Sequence, residues 1–176
     1  RFYGHDRLED NNFLSLGLSY SLFDTIGLER LRASIGQSYF FDDRKVTLNN
    51  SKNDPFNTEK QTGPVISLAS QLSENFSVNL NSMWMSNGDN AQRDFQVYYT
   101  GNKGNLYNLG YFNRGQLPDR QEHYDQVTAS FIQPIRDNWR LMGHVQYDMD
   151  NSVAREYLLG VNYESCCWGV SVYGRS

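Results

Sequence analysis

Residues 13–23 read Phe-Leu-Ser-Leu-Gly-Leu-Ser-Tyr-Ser-Leu-Phe, and their alternation decides the fold. Leu14, Leu16, Leu18, Tyr20 and Leu22 are apolar, while Ser15, Gly17, Ser19 and Ser21 between them are small and mostly polar. Successive residues of a strand point to opposite sides, so this segment has one oily side and one wet side. An amphipathic helix would instead repeat its apolar residues at spacings of three and four, and no stretch of comparable strength does so.

The period of two returns along the chain. It links Leu31, Ala33, Ile35, Tyr39 and Phe41, with Gln37 interrupting, then Ile66, Leu68 and Leu72, then Phe76, Val78, Leu80 and Trp84. Further series run through Phe95/Val97/Tyr99, Tyr107/Leu109/Tyr111, Val127/Ala129/Phe131, Trp139/Leu141/Val145/Tyr147, Tyr157/Leu159/Val161/Tyr163 and Trp168/Val170/Val172. The count predicts about ten strands in an all-β chain.

Composition agrees. The chain has 176 residues, is 14% aromatic, and has only 4 Pro against 14 Gly, which is not a disordered composition. A mean hydropathy of −0.66 and the absence of a long apolar run exclude a helical membrane span. A net charge of −4 argues against nucleic acid as a partner.

Half-apolar strands suit a soluble sandwich, where the oily face meets a second sheet, or a membrane barrel, where it meets lipid. Three features favour an antiparallel transmembrane barrel. Aromatics bracket aliphatics on the oily side, as two interfacial girdles would: Tyr39, Phe41, Phe76, Trp84, Tyr99, Trp139, Tyr147, Tyr157, Tyr163 and Trp168. The strands are predicted at about nine to eleven residues, near what a tilted strand needs to cross a bilayer. Short links (24–29, 73–75, 101–105, 136–138, 164–165) alternate with longer ones (42–63, 87–92, 115–122, 148–154), which reads as periplasmic turns and outer loops. The wet side carries Asn79, Asn81, Asn108, Asn113, Thr128, Ser130, His144 and Gln146, costly in a dry core but at home in a hydrated lumen. This orientation puts both ends of the chain outside the cell. The expected fold is therefore a segment of a larger barrel, with residues 1–176 belonging to one barrel domain.

Cys166 and Cys167 are adjacent. Neighbouring Cα atoms lie about 3.8 Å apart, less than a disulfide ordinarily spans, so a bond between them would be strained. They read either as two inert thiols or, in an oxidising compartment, as partners of cysteines beyond this segment. With no histidine nearby they offer too few ligands for zinc.

The stretch Leu158-Leu159-Gly160-Val161-Asn162-Tyr163-Glu164-Ser165-Cys166-Cys167-Trp168 resembles the C-terminal part of the lipopolysaccharide-assembly barrel family LptD. So do Arg1-Phe2-Tyr3-Gly4-His5-Asp6-Arg7, Glu29-Arg30, and Ser34-Ile35-Gly36-Gln37 followed by Tyr39 and Phe41. The resemblance implies an outer-membrane barrel of about 26 strands, of which this chain would supply roughly the sixteenth to twenty-fifth. It also implies a periplasmic jellyroll and first and last strands lying outside the chain. Its lumen would hold a plug lipoprotein, LptE. Lipopolysaccharide would arrive over a periplasmic bridge and leave through a gap between the first and last strands. Cys166 and Cys167 would bond to two cysteines near the family's N-terminus.

No residue pattern points to an enzyme, a cofactor or a metal. His144 with Ser130 or Asp148 could be imagined as a hydrolase site, but no G-x-S-x-G accompanies them, and a lumenal histidine is the simpler reading. His123 reads as a solvated loop residue. Gly101-Asn102-Lys103-Gly104 matches a G-x-x-G nucleic-acid clamp in form, but its position between strands makes it hairpin chemistry. Loop cations Arg44, Lys45, Lys52 and Lys60 could meet lipid phosphates, yet Asp42, Asp43, Asp54 and Glu59 nearly cancel them. The function expected is that of a non-enzymatic wall of a lipopolysaccharide translocon in the outer membrane of a Gram-negative cell. A wide porin is the alternative, and a soluble binding sandwich a third.

Overall fold

The computed structural model describes residues 12–42, 59–115 and 123–176. These form ten strands: β1 Phe13–Phe23, β2 Glu29–Phe40, β3 Val65–Gln71, β4 Phe76–Trp84, β5 Asn90–Thr100, β6 Leu106–Arg114, β7 Tyr124–Arg136, β8 Trp139–Asp148, β9 Val153–Glu164 and β10 Gly169–Arg175. Every strand pairs antiparallel with its sequence neighbours, giving one sheet in the order β1 to β10. The described residues contain no helix. Strand lengths run from 7 residues in β3 and β10 to 13 in β7, a wider spread than the alternation predicts.

Among the described residues, no second layer covers the sheet. Among the described residues, the buried apolar side chains are Phe40, Met85 and Ala91, while Leu16, Leu18 and Leu159 lie open. A sandwich would bury one face of each strand against a second sheet; a barrel wall leaves that face for lipid. The sandwich reading falls on this point.

The links are built by local chemistry. Between β1 and β2, the Asp24 carboxylate accepts the backbone N–H of Ile26 at 3.0 Å and of Leu28 at 2.9 Å, and pairs with Arg30 at 2.8 Å. Desolvation alone would raise the Asp24 pKa; the two N–H donors and the guanidinium outweigh it and hold the carboxyl below its ordinary value. In the β5–β6 link the Gly101 N–H reaches Asn105 O at 2.7 Å and Gly104 takes a positive φ of 78°. That is hairpin chemistry, as the sequence suggests.

The contrast in link length is narrower than predicted. The links 85–89 and 149–152 are as short as those at the opposite end, so 41–64 and 115–123 carry the difference. Strand pairing extends further than hydropathy shows, because polar residues such as Asn90 and Asp148 still fill ladder positions at the rim. Towards the end of the first of these long links the chain returns beside β2: Lys60 O accepts the N–H of Phe40 at 2.6 Å, and Thr62 N–H donates to Ser38 O at 2.9 Å. Arg44, Lys45, Lys52, Asp43, Asp54, His5 and the motif at residues 1–7 lie outside the described residues.

Candidate functional site

Residues directly opposite one another in an antiparallel pair share a face, so the register sorts the sheet into two sides. One side carries continuous apolar rows. Val78, Val97, Leu109, Ala129, Val145 and Tyr157 form one row. Leu18, Ile35 and Ile66 form another, and Leu141, Val161 and Val172 a third. The opposite side carries Asn79, Gln96, Gly110, Thr128, Gln146 and Glu156 in one row, and Asn108, Ser130 and His144 in the next. Its hydroxyls pair across strands: Ser15 with Ser38 at 2.7 Å, Ser19 with Ser34 at 3.0 Å.

One residue of the expected wet set is placed otherwise. Asn113 stands opposite Arg93 and Asp125, on the side of Leu109 and Tyr111. It is near the long-link rim, where a polar side chain on the outer face passes beyond the hydrocarbon. Gln37 interrupts the same side, and its amide donates to Thr62 O at 2.7 Å, so a link carbonyl satisfies it.

The aromatic candidates fall at the two ends of the apolar side. At the short-link end are Phe76, Tyr99, Trp139, Tyr163 and Trp168. Trp139 and Tyr163 face each other with ring centroids 4.9 Å apart, and Trp168 packs on Tyr163 at 5.0 Å. At the other end are Tyr39, Phe41, Trp84 and Tyr147, with Tyr157 one row further in. Tyr39 and Phe41 meet at 5.5 Å. Tyr107, omitted from the predicted set, stands opposite Tyr99 with centroids 6.0 Å apart. Its signal was present, since it opens the same-parity series of β6.

Cys166 and Cys167 occupy the link between β9 and β10, closed by Ser165 N–H donating to Trp168 O at 2.8 Å. Both are exposed and neither is bonded within the described residues. Their sulfurs lie 2.9 Å apart. The hydrogen bond between the two thiols pulls the pKa of Cys166 down and pushes that of Cys167 up.

Ser130 and His144 are direct cross-strand partners, yet no hydrogen bond joins them to each other or to Asp148. The Asp148 carboxylate instead holds Asn151 and Arg155, so no charge-relay geometry exists. His123 is exposed just before β7, in keeping with its reading as a solvated loop residue. Its Nδ1 lies 2.9 Å from Arg114 O and its Nε2 lies 3.4 Å from Asp150.

A single antiparallel sheet, oily on one side with aromatics at both edges and polar on the other, is the wall of a transmembrane β-barrel. Residues 1–165 match the family model LptD, LPS transport system D. The chain belongs to that family. It is 77% identical to the LPS-assembly protein LptD of Acinetobacter baumannii and 70% identical to that of Acinetobacter baylyi. Both matches cover 100% of this chain and 21% of the relative. The Psychrobacter cryohalolentis protein of the same name is 34% identical, over 99% of this chain and 17% of its own length. The chain thus spans about a fifth of these relatives.

Proposed function

We propose that this chain is a section of the wall of an outer-membrane translocon that assembles lipopolysaccharide in the outer leaflet. The observation that carries the reading is the likeness, over the whole of this chain, to about a fifth of the length of proteins named for lipopolysaccharide assembly, joined to the division of the sheet into an oily and a polar side. The oily side would be solvated by lipid, with its aromatic edges at the headgroups. The polar side would line a hydrated lumen wide enough for an LptE-like plug lipoprotein. The barrel domain would extend beyond residues 1–176 on both sides, and its periplasmic jellyroll would receive lipopolysaccharide from the transport bridge.

The mechanism is passage and gating without bond chemistry. No nucleotide-binding motif is present in the sequence, so energy would come from elsewhere. Cys166 and Cys167, at a short link on the proposed periplasmic side, would each bond to a cysteine outside the segment and tether the wall to the preceding domain. Depleting the full-length protein from cells tests the function: newly made lipopolysaccharide should fail to reach the surface while other barrel proteins still arrive. Undiminished surface lipopolysaccharide would refute it.

A further inference from the structure

At the long-link rim, two side chains from neighbouring links and one from the start of β7 converge. His123 and Asp125 flank the start of β7, and Asp150 lies in the link between β8 and β9. One ligand atom from each lies within 4.8 Å of the others. We propose that they form a site for a divalent transition-metal ion, with coordination of the zinc type.

Four features of the cluster carry the assignment. The His123 Nε2 to Asp150 Oδ1 separation of 3.4 Å is long for a hydrogen bond. It matches the edge of about 3.3 Å between ligands bound at 2.0–2.1 Å around a tetrahedral ion. The other ring nitrogen, Nδ1, is 2.9 Å from Arg114 O. Donating its N–H to that carbonyl leaves the Nε2 lone pair facing the carboxylates, the tautomer that metal-binding histidines adopt. Among the described residues Asp125 Oδ1 is shut off from solvent without a close hydrogen-bond partner, while the Tyr111 hydroxyl donates to the same carboxylate. A buried carboxylate oxygen without a partner is unfavourable unless a cation or proton satisfies it. Finally, Asp150 is held in place: its link is pinned by Asp148, which binds Asn151 and Arg155.

The donor set selects the ion. Two carboxylates and one imidazole leave one tetrahedral position open and compensate a double positive charge. An imidazole nitrogen is a poor ligand for calcium or magnesium, which favour oxygen. Arg93 stands on the same face two strands away, across Asn113 from Asp125. A bound ion would clamp the starts of β7 and β9 together at the rim.

The test uses full-length, tag-free protein in detergent micelles, stripped with chelator and with free thiols alkylated so that Cys166 and Cys167 cannot bind metal. Titration with Zn2+ by calorimetry should show a site that His123→Ala and Asp150→Asn each weaken at least tenfold, while His144→Ala leaves it unchanged. Co2+ should develop the intense visible bands of a tetrahedral site in the parent and lose them in Asp150→Asn, an isosteric change on an exposed link that keeps the barrel folded. Unchanged Zn2+ binding in both variants would overturn the proposal. So would a site that takes Ca2+ and ignores Zn2+.

Discussion

Phe131 and Gly143 face each other across β7 and β8. The Phe131 ring lies over the glycine, so that a Cβ at 143 would stand 2.3 Å from Cε1. The pair replaces a missing side chain with an aromatic face and keeps the apolar side smooth. Gly143→Ala is expected to push the ring aside and cost about 1–3 kcal/mol. Gly174→Ala, where nothing lies within 4 Å, should stay within about 0.5 kcal/mol of the parent. Urea titration of the full-length barrel in micelles compares the two; equal midpoints would mean the ring moves freely.

At the scale of the strand, parity decides what a substitution costs. Leu159 lies on the apolar side between Gly143 and Gly174 of the neighbouring strands, while Gln146 lies on the polar side between Thr128 and Glu156. An arginine in hydrocarbon near the midplane costs about 2–4 kcal/mol, and far less where water reaches it. Leu159→Arg should therefore lower the folding yield into lipid vesicles by that free energy, and Gln146→Arg should leave it nearly unchanged. Heat-modifiable migration on gels reads the folded fraction. Similar losses for both would mean that the two faces do not meet different solvents.

The whole sheet ends in unpaired strands, β1 and β10, each with only one neighbour among the described residues. Unpaired N–H and C=O groups do not survive in hydrocarbon, so in the membrane both edges need a pairing partner. The exposed cysteines beside β10 lie at one of those edges. On non-reducing gels, full-length protein should migrate differently after reduction, and Cys166→Ser with Cys167→Ser should abolish the difference. Identical migration in every lane would remove the proposed tether.

The extended fold was legible in Leu14 to Leu22, in the series from Trp139 to Tyr147, and in the paired Tyr157 and Tyr163, because a strand writes its two environments into alternate residues. The rims were less so. At the rim ends of β5, β6 and β8 polar residues continue the ladder without continuing the hydropathy pattern, which is why Asn113 reads to the wrong side. The approach of His123 to Asp150 was invisible: 27 positions separate them in the numbering, and only the pairing of β7 with β8 brings their links together. Parity is a local property that the amino-acid order determines alone. Which residues meet across strands depends on register, and register exists only once the sheet has formed.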